Sequence, residues 1–149
     1  MKQPQQEAER VFNIGYQGRS ISDFCQVLAE AGVRVLVDVR AVAWSQRPQY
    51  RKGYLQGALR EHGVEYVHCK LAGNPFRPKA GTPVDLERCE AMYQGHLREH
   101  PEVVDAVEEI VTSNLAALFC YEAARGQCHR GVLLSALVRR RANLVIVDL

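Results

Sequence analysis

Five short apolar runs alternate with segments of helical periodicity, and this alternation most constrains the fold. The runs are Val11–Ile14, Val33–Val39, Val64–Cys69, Leu115–Cys120 and Leu144–Val147, several of them rich in valine and isoleucine. Between them, apolar side chains recur at helical spacing: Ile21, Phe24, Cys25 and Leu28; then Tyr54, Leu55, Ala58 and Leu59. Leu86, Cys89, Tyr93 and Leu97 follow, then Val103, Val104, Val107, Ile110 and Val111, and finally Leu133, Leu134, Leu137 and Val138. Period-2 or continuous apolar runs read as strands, and 3.6-period segments read as helices facing a core. The resulting order is β-α-β-α-β-α-α-β-α-β. It predicts a three-layer α/β fold, Rossmann-like, with a mainly parallel five-stranded sheet and helices on both faces.

Punctuation supports these boundaries. Ser20 with Asp23 makes an N-terminal cap, Gly32 and Gly63 stop two helices, and Pro101 opens another. Thr82 and Pro83 read as the cap and first turn of the third helix. A strand order of 3-2-1-4-5 is the expectation. Residues 1–10 are polar and Gln-rich, which predicts a flexible tail ahead of a single domain over 11–149.

In a parallel α/β sheet the loops leaving the strands gather at its carboxyl edge, where ligands bind. Four polar loops would share that edge: Gly15–Ser20, Arg40–Lys52, Leu71–Thr82 and Cys120–Cys128. Arg19, Arg40, Arg47, Arg51, Lys52, Arg77, Lys79, Arg125 and Arg130 lie in or beside them, opposed locally by Asp38 and Glu122. Guanidinium groups and helix N-termini together suit phosphate or carboxylate. The expected ligand is therefore phosphate-bearing or otherwise anionic. Tyr16, Trp44 and Tyr50 are aromatic groups in the same loops, able either to stack on a ring or to pack.

The stretch from Leu115 to Leu134 carries the densest chemistry. A strand ending at Cys120 delivers Glu122 into a loop, and the next helix opens on Cys128-His129-Arg130. A thiol beside an imidazole and a guanidinium at a helix start has surroundings that lower its pKa. Cys128 is thus a candidate nucleophile, with His129 or Glu122 as proton carrier. The plainer alternative is that Cys128 packs under the loop while His129 and Arg130 only bind. Glu122 is either a general base or the holder of an arginine, and Cys120 reads as a buried small residue. Because the chain has no C-x2-C pair, a zinc site is not expected. The Gly15–Ser20 loop matches neither a P-loop nor a G-x-G-x-x-G fingerprint.

Composition excludes several classes. A net charge of +2 over 149 residues does not suit generic coating of nucleic acid, though a local patch could still take a nucleic-acid end. No apolar run approaches the ~20 residues a membrane helix needs, and the polar start is no secretory signal, so no membrane partner is expected. Five cysteines without framework spacing fit reduced thiols and a cytoplasmic location. The apolar edge at Leu144–Leu149 leaves room for pairing with a second copy.

Gly15-Tyr16-x-Gly18-Arg19-Ser20, Val37-Asp38-Val39-Arg40, Arg47-Pro48, Gly63-x-x-Tyr66, Leu71-x-Gly73 and Cys120-x-Glu122-x5-Cys128-His129-Arg130 run in order along nearly the whole chain. Together they resemble the domain of unknown function 488 family, the last motif being the specific one. The resemblance implies a small cytoplasmic prokaryotic α/β domain and supplies no reaction. It places Tyr16, Arg19, Asp38, Arg40, Glu122, Cys128, His129 and Arg130 at motif positions. Ala43-Trp44-Ser45 stands where the family pattern suggests a Pro-x-Ser turn. A more distant similarity is to rhodanese and cysteine-phosphatase domains, which pair an Asp-Val-Arg strand end with a later cysteine loop. Here, though, Tyr121 to Ala124 make a poor anion cradle.

The expectation is an enzyme acting on a phosphate-bearing small molecule, nucleotide or nucleic-acid end. Tyr16, Arg19, Asp38, Arg40, Arg47 and Arg130 would form the binding site, and Glu122, Cys128 and His129 the catalytic set. The alternatives are a non-catalytic nucleotide or nucleic-acid binding module, and a thiol-based sulfurtransferase or phosphatase-like enzyme using Cys128 or Cys120.

Overall fold

The run Ala116–Cys120 forms strand β4, buried at every residue, and it occupies the middle of the sheet. The computed structural model describes residues 9–77, 79 and 81–149. The other strands are β1 (Glu9–Gly15), β2 (Val35–Asp38), β3 (Glu65–His68) and β5 (Leu144–Asp148). All pairings are parallel, and the order is β3-β2-β4-β1-β5. This confirms the three-layer α/β class and corrects the expected order, because β4 inserts between β2 and β1. The physical reason is coverage. β2 and β4 are apolar enough to be sealed on both faces, so they take the interior, while β3 and β5 keep exposed residues and lie at the edges.

The helices are α1 (Ile21–Glu30), α2 (Lys52–Glu61), α3 (Leu86–Glu99), α4 (Pro101–Ser113) and α5 (His129–Arg140). Phe24 and Leu28 of α1 and Leu55 and Leu59 of α2 pack with Phe12, Ile14, Leu36, Ala117 and Phe119 on one face. Tyr93, Val104, Val107 and Leu133 from α3, α4 and α5 pack with Val35, Val37, Leu118 and Cys120 on the other. Alternation along β4 explains both sets, since successive strand residues point to opposite faces. The chain runs outward from β1 to β3 under α1 and α2. It then returns through α3, α4 and α5 on the opposite face, as right-handed crossovers require when direction reverses. The loop after β4 therefore sits between two neighbours, β1 and β2, whose own helices leave toward the other face.

Three boundaries follow from side-chain chemistry. Ser20 caps α1 by accepting from the Asp23 amide at 3.1 Å. α3 does not begin at Thr82 and Pro83: Asp85 caps it, accepting from the Arg88 amide at 3.1 Å. Thr82 instead closes a turn through Gly81, whose φ of 85° is left-handed. Glu9 and Arg10 belong to β1, tied by Arg141, which donates to both carboxylate oxygens of Glu9 at 2.8 Å. The remainder of the expected tail, residues 1–8, lies outside the described residues.

Candidate functional site

The loops after β2, β3 and β4 enclose a cavity of about 910 Å³ at the carboxyl edge of the sheet. Its floor is the β4 loop and the start of α5, including Cys120, Glu122, Cys128 and His129. Arg40, Val42 and Trp44 form the wall from the β2 loop, and Arg77, Lys79 and Thr82 the wall from the β3 loop. Tyr93 of α3 closes one side, fixed by donating its hydroxyl to the Ala72 carbonyl at 2.7 Å. Trp44 stands half-exposed at the rim, with the Arg51 guanidinium 4.7 Å from its ring centroid.

The β4 loop is pressed into place by two glycines. A Cβ on Gly15 would collide with the Glu122 carbonyl, and one on Gly131 with the Arg125 carbonyl. Gln17 of the Gly15 loop accepts from the Ala123 amide at 3.1 Å. The Gly15–Ser20 loop thus props Glu122 from behind and contributes no residue to the cavity lining.

Of the arginines expected to bind an anion, three have their guanidinium groups committed inward. Arg40 is buried and grips the fully buried Asp38 through Nε and Nη2, at 2.9 and 2.8 Å. Its Nη1 donates to the carbonyls of Tyr50 and Trp44 at 2.8 and 3.3 Å. Tyr66 adds its hydroxyl to the same Asp38 carboxylate, and burial followed by that negative charge pushes the phenol up. Arg47 donates to the carbonyls of Tyr16 and Arg19. Arg130 has no exposed surface; its Nε bonds Asn13 Oδ1 at 3.1 Å and its Nη2 the Glu122 carbonyl at 2.9 Å. Asn13 in turn donates to Asp148 Oδ1 at 2.7 Å, linking β1, β5 and the β4 loop into one network.

Tyr16 is buried and stacks on Tyr50 with centroids 4.3 Å apart; burial pushes the Tyr50 phenol up to about 12. Arg19 contributes its carbonyl to Arg47 and Tyr50. Tyr16, Arg19, Asp38, Arg47 and Arg130 therefore surround and brace the cavity, whereas Arg40, Glu122, Cys128 and His129 line it. Arg125 reaches Asp148 at 3.2 Å. Arg77 and Lys79 are exposed and form no ion pair among the described residues, so they are the open cations of the rim.

The reactive groups sit together on the floor. Cys128 is the N-cap of α5, its sulfur accepting from the Arg130 amide at 3.4 Å. His129 Nε2 lies 2.8 Å from the Val39 carbonyl, and its Nδ1 lies 3.6 Å from Cys128 Sγ. A carbonyl can only accept, so Nε2 carries the proton and Nδ1 presents a lone pair. Burial pushes His129 down, which keeps the ring neutral. A hydrogen bond from Cys128 holds the Cys120 thiol down; the same bond, with burial, pushes Cys128 up. Two buried polar atoms near this floor have no partner among the described residues: Glu122 Oε2 and Arg130 Nη1.

Sequence reasoning missed Asn13 and Tyr93 as parts of this apparatus. Asn13 did carry a signal, a polar residue inside the apolar run Val11–Ile14. Tyr93 carried none, because an aromatic on a helix face reads simply as core.

An open parallel α/β sheet with an arginine-braced cavity at its carboxyl edge defines the class of protein. A family model, the domain of unknown function DUF488, matches residues 20–137, and the chain belongs to that family. No curated protein and no solved structure matches it. Among the described residues no helix is long and apolar enough to cross a membrane.

Proposed function

We propose that this protein is an enzyme acting on a phosphate-bearing small molecule, nucleotide or nucleic-acid end held in the cavity above the β4 loop. The observation that carries this reading is the opposition of two sets of groups across one space. Arg77 and Lys79 stand open on one wall, while Glu122, Cys128 and His129 form the floor. Open cations on a mixed apolar and polar wall suit a phosphate attached to a ring or chain. Glu122 supports a chemical role because its Oε2 is buried without a partner, an acceptor awaiting a proton or hydrogen bond from whatever enters. Thiol nucleophilic chemistry is the weaker alternative. Cys120 is only 3 % exposed, and Cys128 is pushed up by its bond to Cys120.

A thermal-shift panel of nucleotides, sugar phosphates and 5′-phosphorylated oligonucleotides, joined to mass spectrometry of small molecules that co-purify, tests the reading. At least one phosphate compound should raise the melting temperature, and the Arg77→Ala/Lys79→Ala double variant should lose most of that rise. Glu122→Gln should keep the rise and lose turnover of the same compound. A panel in which no phosphate compound stabilises the protein overturns the proposal. Binding without turnover in wild type identifies a binding module instead.

A further inference from the structure

The chain folds two cysteines and a histidine onto one point, although their sequence spacing follows no familiar metal pattern. Cys120 ends β4, Cys128 caps α5 and His129 is the first residue of that helix. The two Sγ atoms and a ring nitrogen of His129 all lie within 4.8 Å of one another. We infer that Cys120, Cys128 and His129 form a binding site for a thiophilic divalent cation, zinc in the first instance, at the floor of the cavity.

Four features of the geometry carry this inference, and none depends on the phosphate ligand. The first is separation. Tetrahedral zinc with bonds of about 2.3 Å to sulfur and about 2.05 Å to nitrogen sets neighbouring ligand atoms roughly 3.6 Å apart. The Cys128 Sγ to His129 Nδ1 distance is 3.6 Å. The second is orientation. His129 donates from Nε2 to the Val39 carbonyl, which leaves Nδ1 free as a ligand; metal-bound imidazoles are held this way by a partner on the other nitrogen. The third is support for a thiolate: the Arg130 amide points at Cys128 Sγ at 3.4 Å, and the buried Arg130 guanidinium lies behind the cluster. The fourth is access. All three residues line the cavity together with Glu122, so a cation held by them keeps a fourth position toward the open space. Three protein ligands with one open position are the arrangement of a reactive zinc site, as opposed to the closed four-ligand set of a structural one.

Nearby groups leave a workable charge balance. Two thiolates and a dipositive ion sum to zero, and Arg130 and Glu122 are a further opposite pair beside them. Uptake is balanced as one cation bound and both thiol protons passed to solvent, with His129 contributing no proton because its ring is already neutral.

The test uses the full chain, purified under reducing conditions, stripped with a chelator and titrated with zinc or cobalt(II). Zinc should bind at one equivalent per chain, with release of about two protons per ion. Cobalt(II) should develop thiolate charge-transfer absorption and visible bands of tetrahedral intensity. Cys128→Ser retains an oxygen cap for α5 and Cys120→Ala retains a small buried residue, so both should fold, as circular dichroism will check. Both should lose the charge-transfer band seen in wild type, whereas Cys89→Ser, at a cavity cysteine outside the cluster, should keep it. Reduced wild-type protein that takes up no metal overturns the proposal. So does full metal retention by Cys120→Ala. Because the readouts need no phosphate compound, a failure here is distinct from a failure of the ligand panel.

Discussion

Asp38→Ala should lower stability by about 3–5 kcal/mol. The carboxylate is fully buried and receives Arg40 through two guanidinium nitrogens, the Arg40 amide at 3.0 Å and the Tyr66 hydroxyl. Removing it leaves a buried guanidinium beside the Phe119 and Tyr16 rings with no counter-charge. A domain of this size has about 5–15 kcal/mol in total, so the variant should melt roughly 6–20 °C below wild type. The double variant Asp38→Ala/Arg40→Met discriminates the cause. If the loss comes from a stranded charge, removing both partners recovers part of it. A double variant less stable than Asp38→Ala would show that the pair's packing, and not its charge, carries the effect.

Gly15→Ala should be nearly as damaging, for a different reason. Gly15 does not adopt a left-handed φ, so conformational freedom is not what it supplies. It supplies the absence of a side chain where β1 passes beneath the Glu122 carbonyl. A methyl group there pushes on backbone, and backbone held by Arg130 and Gln17 yields poorly. Overpacking costs about 1–3 kcal/mol even against movable side chains, and the upper end or beyond is expected here. The informative comparison is Gly57→Ala on the exposed side of α2, where nothing lies within 4 Å of the new methyl. That change should stabilise by roughly 0.5–1 kcal/mol. Denaturant melts of both variants read the contrast directly. Equal effects at the two positions would refute the close-approach argument.

The element order was legible because burial writes itself into periodicity: Phe24, Leu28, Leu55 and Leu59 recur as a helix face must. Strand order was not, since β1 and β4 differ little in length or in their turns. The clue lay in coverage: Ala116–Cys120 has no polar member, whereas β1 carries Arg10 and Asn13. The start of α3 was misplaced because Thr82-Pro83 and Asp85 are competing caps three residues apart, and the turn at Gly81 decides between them. For the site, sequence spacing brought Glu122, Cys128 and His129 to one edge. It could not reveal where guanidinium donors point. Arg40, Arg47 and Arg130 look alike in a sequence whether they face a ligand or bind carbonyls. Cys120 and Cys128 stand eight positions apart, and only the return of the β4 loop across the strand end makes them neighbours.

One rim residue gives the protein an optical property. Trp44 is its single tryptophan, 54 % exposed, on the wall of the cavity and against the Arg51 guanidinium. The emission of the whole chain on excitation at the indole edge therefore comes from the mouth of the cavity and from nowhere else. A molecule that packs against that one indole displaces water from it, so such binding can be followed in the unlabelled, unmodified protein.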